Sequence, residues 1–289
     1  SDKKVITINT TSYFSSEQIV YVAVGATVED FFDNAISASS ATFTAADSTA
    51  PTLVFDPDDL ETGVAAASNI TLTFDEAVRK TDNSELTSDN VDSLITLKVD
   101  NSSGADIDFG ATIDSDKKVI TINPDSNFSS EQVVYVAIGA KVEDFFDNAI
   151  STSSVTFTTA DSTAPTIVFD PGDLESAVPV TDNITLTFSE AIRKIDLNTT
   201  LNNTNVDALI TLKDTDENGS NIDFNATIDT AKKVITINPD SNFSSEQTVY
   251  VAIGATVEDD SDNAITASSI TFVAADSTAP SLDFLIRNH

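Results

Sequence analysis

Five residues, DSTAP, recur at 47–51, 161–165 and 276–280, spaced 114 and 115 residues apart. A period this long corresponds to one whole domain per repeat rather than one turn of a short-repeat solenoid. Each of the first two copies is followed by an alternating apolar segment, Thr52-Leu53-Val54-Phe55 and Thr166-Ile167-Val168-Phe169. Proline cannot donate to a strand ladder and holds the preceding residue extended, so DSTAP reads as the joint between two β-domains. On this reading residues 48–160 and 162–275 are two complete repeats. Residues 1–46 match residues 115–160 at 37 of 46 positions and are the C-terminal part of a repeat. Residues 277–289 begin a further domain and then leave the pattern.

Within a repeat the apolar period is two. Asn69-Ile70-Thr71-Leu72-Thr73-Phe74 places Ile70, Leu72 and Phe74 on one face, as a half-buried strand requires. Ile107, Phe109, Ala111 and Ile113 alternate likewise, as do Val134, Val136 and Ile138. Strands are expected near 52–56, 69–75, 94–99, 105–113, 117–123, 131–139 and 154–159, rich in Thr, Val and Ile. Seven short strands in one period indicate an all-β, antiparallel, immunoglobulin-like sandwich, here in an extended tandem array. Residues 88–93 and 126–131 could each form one helical turn. The one extra residue of the longer period is expected in the loop at residues 214–219.

The quoted stretches PTLVFDP, NITLTFDEAV, KKVITINP, SSEQVVYVAIGAKVEDFFDNAIS and VTFT together resemble the bacterial Ig-like domains of large surface proteins. They are nearest the S-layer-type Ig-like repeat. The resemblance covers both complete repeats and the N-terminal fragment. It implies a β-sandwich and a place in an adhesin-type protein or cell-surface filament, outside the cell. One departure is Asp147-Asn148-Ala149, where that family usually has Gly-Asn and this chain lacks the glycine.

The 47 acidic and 14 basic side chains give a net charge of −33, which disfavours nucleic acid and anionic lipid as partners and favours cations. Solubility in a salty medium accounts for the same excess. No stretch approaches the roughly 20 apolar residues of a membrane helix, so no direct membrane insertion is expected of this segment. Cysteine is absent and the one histidine is His289, so neither thiol catalysis nor a Ser-His-Asp arrangement can be assembled. The chain is expected not to be an enzyme.

In an Ig-type sandwich the incoming chain and two of the loops meet at one end. There the first complete repeat would hold Asp47, Glu76, Glu143, Asp144, Asp147 and Asn148, and the second Asp161, Glu190, Glu258, Asp259, Asp262 and Asn263. Carboxylates with an amide oxygen suit Ca²⁺, which takes six to eight oxygens in flexible geometry. The plainer reading is a solvated acidic loop. Phe145-Phe146 is expected to plug the end of the core, and Arg79-Lys80 and Lys117-Lys118 to guard strand edges. Asp56-Pro57-Asp58-Asp59 reads as a turn.

The expected role is a structural stalk or filament segment, with neighbouring repeats as partners, and other copies of the chain if it assembles. The alternatives are a glycan- or surface-binding module and a self-assembling sheath subunit completed by a neighbour's strands.

Overall fold

In the computed structural model, residues 4–196 and 200–281 are described, and the chain divides into two compact units, 1–160 and 161–289. Unit one opens with β1 (Ile19–Val24) and β2 (Ser39–Thr44), an antiparallel pair. Its complete repeat follows as β3 (Leu53–Asp56), β4 (Ile70–Phe74), β5 (Arg79–Lys80), β6 (Ile95–Val99), β7 (Phe109–Ile113), β8 (Val119–Pro124), β9 (Val133–Ile138), β10 (Val142–Glu143) and β11 (Ser153–Thr158). Two antiparallel sheets, ordered β3-β4-β8-β7 and β11-β9-β6, form the sandwich, and the short pair β5-β10 lies between their ends in sequence. The seven expected strands are all present.

Unit two repeats the plan with β12 (Ile167–Asp170), β13 (Ile184–Phe188), β14 (Arg193–Lys194), β15 (Ile210–Asp214), β16 (Phe224–Ile228), β17 (Val234–Pro239), β18 (Thr248–Ile253), β19 (Val257–Glu258) and β20 (Ser268–Val273). Its sheets are β12-β13-β17-β16 and β15-β18-β20, with the short pair β14-β19. Strands β4 and β13 share the sequence ITLTF, and β8 and β17 share VITINP.

The period-two faces meet between the sheets. Ile70, Leu72, Phe74, Val134, Val136, Ile138 and Phe157 are buried in one core, and Ile184, Leu186, Phe188, Val249, Val251, Ile253 and Phe272 in the other. Branched and aromatic side chains fit these pleated surfaces, and the threonines between them face outward or sit half-buried. Each sandwich also closes along one margin through a parallel bridge, Val64 to Thr159 and Val178 to Ala274. The DP-x-D segment is a turn, as read, but one tied to the far strand. Asp59 accepts a hydrogen bond from the Thr156 amide at 2.9 Å, and Asp173 one from the Thr271 amide at 3.0 Å.

Three expectations need correction. Residues 126–131 form no helix; the helical turns among the described residues are 3₁₀ turns at Val91–Leu94 and Asp207–Leu209. The extra residue of the second repeat does not lie at 214–219. Buried Leu86 and Leu201, Ile95 and Ile210, and Gly104 and Gly219 are already offset by 115, whereas Arg79 and Arg193 are offset by 114. The insertion therefore falls between Lys194 and Leu201, a stretch that includes residues outside the described set. The loop at 214–219 has no slack for it. An added Cβ on Gly104 would lie 1.6 Å from the Val99 carbonyl oxygen, and one on Gly219 would lie 1.5 Å from that of Asp214. Finally, Phe145 and Phe146 do not plug the core; both are exposed. The divergent stretch from Leu282, with His289, lies outside the described residues.

Two substitutions test this packing. Phe188→Ala should cost about 3–5 kcal/mol, because its ring is buried and neighbouring strands cannot close over the void. Gly219→Ala should loosen the β15–β16 turn without emptying the core. Hydrogen exchange resolved by segment should show the first effect across β13 and β17 and the second confined to residues 214–224. A register error would leave Phe188→Ala nearly silent.

Candidate metal centre

The joint is shaped by its own aspartate. Asp47 Oδ1 accepts hydrogen bonds from the Thr49 amide at 2.9 Å and the Thr49 hydroxyl at 2.8 Å, a local turn that Asp and Thr two residues apart form readily. Ser16 donates its hydroxyl to the same oxygen at 2.5 Å. Asp161 receives the same two bonds from Thr163, each 3.0 Å long, and Asp276 receives its counterparts from Thr278 and Ser245. The DSTAP motif thus encodes a preformed bend with its carboxylate held in place.

The second component is the loop after β10. Asp144 is fully buried, and its Oδ1 accepts the amides of Phe146 at 2.7 Å and Asn148 at 2.9 Å. Its Oδ2 accepts the Asn148 side-chain amide at 2.7 Å, and that amide also donates to the Asp47 carbonyl at 3.3 Å. Asn148 therefore ties the joint to the loop. Asp259 and Asn263 repeat the arrangement on the Asp161 carbonyl. The loop even persists in the N-terminal fragment, where Asp30 accepts from Phe32 and Asn34. Its geometry is thus encoded locally.

A third carboxylate, Glu76, follows β4 and completes the group. One oxygen each of Asp47, Glu76 and Asp144 lie within 4.8 Å of one another, and so do those of Asp161, Glu190 and Asp259. Three like charges at this separation disfavour full ionisation. Burial, then the charges of Asp144 and Asp47, raise the Glu76 carboxyl above its ordinary range. Asp47 moves the other way, held down to about 2 by the Ser16 hydroxyl first and by Thr49 next. The two carboxyls differ because one is supplied with donors and the other is not.

The sequence candidates separate accordingly. Asp47, Glu76 and Asp144 converge, as do Asp161, Glu190 and Asp259. Asn148 and Asn263 stand beside these groups as amide donors. Asp147 and Asp262 turn away to basic partners: Asp147 Oδ1 lies 2.7 Å from Arg79 Nη2, and Asp262 pairs with Arg193. Both occupy the left-handed region, at φ 69° and 68°, which is the position the glycine of the resembled family would fill. Asp tolerates it better than most residues because its short polar chain can bond locally.

Sequence reading missed the arginines. Arg79 reaches buried Glu143 at 3.1 Å and covers the Phe145 ring at 5.4 Å from its centroid. It fastens the loop to β5 rather than guarding an edge. Arg193 and Glu258 repeat the pair at 3.3 Å. Lys117 donates to the Leu86 carbonyl at 2.9 Å and Lys118 to that of Asp75 at 2.7 Å. The recurrence of Arg-Lys before a Val-Glu strand was the available signal, but partners 64 residues apart carry no local pattern.

The carboxyl shifts give a titration test with opposite signs. Asp47 has a depressed folded-state value, so its contribution to stability is present above its unfolded value of roughly 3.9 and is lost as pH falls towards about 2. Glu76 has a raised value, so its contribution is present at low pH and is lost as pH rises through its folded value. Carboxyl-detected NMR should find Asp47 titrating near 2 and Glu76 above 4.5, and Ser16→Ala should move Asp47 upward and leave Glu76 nearly unchanged. Equal midpoints for the two groups would contradict the geometry.

No helix among the described residues is long and apolar enough to cross a membrane. No curated protein matches the chain in sequence. Solved structures similar to the chain include CopC from Methylosinus trichosporium OB3b, at 12% identity and TM-score 0.28, covering 40% of this chain and 99% of that one. The BSP domain of a biofilm-associated protein is 16% identical at TM-score 0.22, covering 80% of this chain and 30% of that one. The N-terminal part of the bacterial S-layer protein SbsC is 12% identical at TM-score 0.28, covering 77% of this chain and 43% of that one. The sequence profile of the bacterial Ig-like domain matches residues 47–159 and 161–274, most of the chain. With two tandem antiparallel sandwiches and these two matched segments, the chain belongs to the bacterial Ig-like domain family.

Proposed function

We propose that this chain is a non-catalytic stalk segment of a repetitive bacterial surface protein, acting outside the cell, whose joints bind Ca²⁺. The observation that carries the reading is the recurrence of one carboxylate trio, Asp47, Glu76, Asp144 and Asp161, Glu190, Asp259, where the joint meets the loops of the domain it leads into. A spacer needs length and stiffness, and near-copies of one domain supply both without a substrate site. A divalent cation would relieve the repulsion that raises the Glu76 carboxyl and would bond the joint to two loops. The DSTAP bend would then be fixed on its domain by an ion as well as by Asn148.

Exposed Phe145 and Phe146 favour the alternative, a module that binds a glycan or another surface. Against it, the second repeat has Asp260-Ser261 at the same place, so the feature is not a property of the repeat.

Calcium titration of the whole chain tests the proposal. At 100 times the dissociation constant, binding adds about 2.7 kcal/mol, which should raise the melting temperature of a domain this size by roughly 10 °C. Small-angle scattering should show a larger maximum dimension with millimolar Ca²⁺ than with EDTA. Glu76→Gln combined with Glu190→Gln should abolish both responses, and in EDTA it should leave the fold more stable than the parent at neutral pH. Identical melting and scattering with Ca²⁺ and EDTA would remove calcium from the proposal and leave proline and direct hydrogen bonds as the source of stiffness.

A further inference from the structure

Each complete sandwich has one side where its two sheets do not close. β6 is the last strand of one sheet and β7 of the other, and in the second repeat β15 and β16 hold the same places. Residues 105–107 begin to cover β6. The Val99 amide donates to the Ala105 carbonyl at 2.9 Å and the Ile107 amide to the Leu97 carbonyl at 3.0 Å. The chain then leaves for β7, which starts at Phe109. Successive residues of an antiparallel strand send their backbone groups to alternate edges, so Ile95 and Leu97 point theirs the same way as Val99. The Ile95 amide is taken by the Asp92 carbonyl and the Leu97 carbonyl by Ile107. The Ile95 carbonyl and the Leu97 amide are left facing the gap. In the second repeat Asp214 donates to Ser220 at 2.9 Å and Ile222 to Leu212 at 3.0 Å, and the Ile210 amide is taken by Asp207.

The gap is a groove of about 470 Å³ in the first repeat and about 630 Å³ in the second. Ile95, Leu97, Ile107 and Phe109 give the first an apolar lining, and Ile210, Leu212, Ile222 and Phe224 the second. Carboxylates stand around both, Asp92, Asp106 and Asp108 in one and Asp207, Asp223 and Asp240 in the other. The wall on the β7 side is shut to strand pairing. Asp92 accepts the Ala111 amide at 2.7 Å, and Asp207 the Ala226 amide at 2.6 Å. Each groove has one lysine, and each lysine is engaged. Lys98 lies 2.5 Å from Asp106 and 3.2 Å from the Gly104 carbonyl, and Lys213 donates to the Glu217 carbonyl at 2.7 Å. Exposed Asp108 and Asp223 keep the mouth of each groove acidic.

We propose that these grooves bind an extended peptide in which apolar residues alternate with lysine or arginine, added as a short strand along β6 and along β15. Alternate side chains of an extended strand point to opposite faces. One set would lie on Ile95, Leu97, Ile107 and Phe109, and the other would reach the carboxylates at the mouth. The Ile95 carbonyl and the Leu97 amide would hold the backbone, the mode in which a sheet edge recognises a strand. Charge excludes an anionic occupant. It also disfavours a second copy of this chain, which carries 47 acidic against 14 basic side chains. The edge strand such a copy would offer, β3, is flanked by Pro51 and Pro57, and proline cannot donate to a ladder. The site recurs in both repeats, so one chain offers it twice. It shares no residue with the joint carboxylates and does not rest on the calcium reading.

The test titrates the 289-residue chain in EDTA with a capped hexapeptide of alternating lysine and valine, read by calorimetry and by backbone amide NMR. Two peptides should bind per chain, and the largest shifts should fall at Leu97, Leu212 and their neighbours. Asp108→Lys with Asp223→Lys changes exposed side chains only, so the amide spectrum should keep its dispersion while affinity falls about tenfold or more. The same hexapeptide with its valine amides methylated keeps charge and apolar surface but loses strand donors, and it should bind at least about tenfold more weakly. A glutamate-valine hexapeptide should not bind. Absence of binding by the lysine-valine peptide would overturn the proposal. So would equal binding of the methylated peptide, or shifts spread over the acidic surface and indifferent to Asp108→Lys and Asp223→Lys, which would mean adsorption by charge alone. With EDTA present throughout, none of these results bears on the joint carboxylates, and failure here stays distinct from failure of the calcium reading.

Discussion

The ring of Phe157 meets that of Phe128 edge-on, centroids 5.7 Å apart, deep between the two sheets, and Phe243 and Phe272 do the same at 5.5 Å. These contacts lie at the centre of the one interaction on which each repeat depends, the burial of two alternating strand faces against each other. Burial of this kind is non-directional and roughly proportional to area, so it rewards any apolar face that finds a partner. Direction comes from the ladders and from the loops that set strand order. Residues 4–46 repeat the ring pair, as Phe14 and Phe43 at 5.6 Å, and the hairpin, as β1 and β2. Local contacts can preserve a hairpin, but a sandwich requires both sheets.

This division explains how far the sequence could be read. The strands were legible because Ile70, Leu72 and Phe74 alternate with threonine, and an alternation has only one efficient burial. The convergence of Asp47, Glu76 and Asp144 was legible because an Ig-type topology brings a joint and two loops to one end. Less was visible where the outcome turned on side-chain reach. Asp147 looked like a fourth carboxylate of the same group, yet a left-handed backbone and a nearby guanidinium draw it to Arg79. Phe145 looked like core by composition, yet it lies outside, covered by that same arginine. The misplaced insertion has a similar cause. Loops 100–104 and 215–219 differ in letters but share one glycine-dependent turn, whereas the extra residue falls in the sequence after β14, ahead of buried Leu201.

The acidic ends combine two chemistries that pull in opposite directions. Asp47 and Asp144 are supplied with amide and hydroxyl donors, so their charge is accommodated by the fold. Glu76 joins them after β4, half-buried, and experiences their field. The same glutamate recurs in the second repeat as Glu190, grouped with Asp161 and Asp259.

The repeated strand sequences have a consequence for how the chain reaches its fold. ITLTF in β4 is the same as in β13, and VITINP in β8 the same as in β17, so no side chain distinguishes the proper partner from one in the neighbouring domain. Equilibrium contacts alone would score a strand exchanged between domains almost as well as the native pairing. What separates them is contour length. β7 and β8 are joined by five residues, while the nearest equivalent strand is more than a hundred residues away. The entropy of closing the longer loop, together with emergence of each domain from the ribosome before the next, gives the near partner the kinetic advantage. A chain of near-identical domains therefore relies on sequence order in time to keep its strands sorted, and refolding the whole array at once from denaturant removes that safeguard.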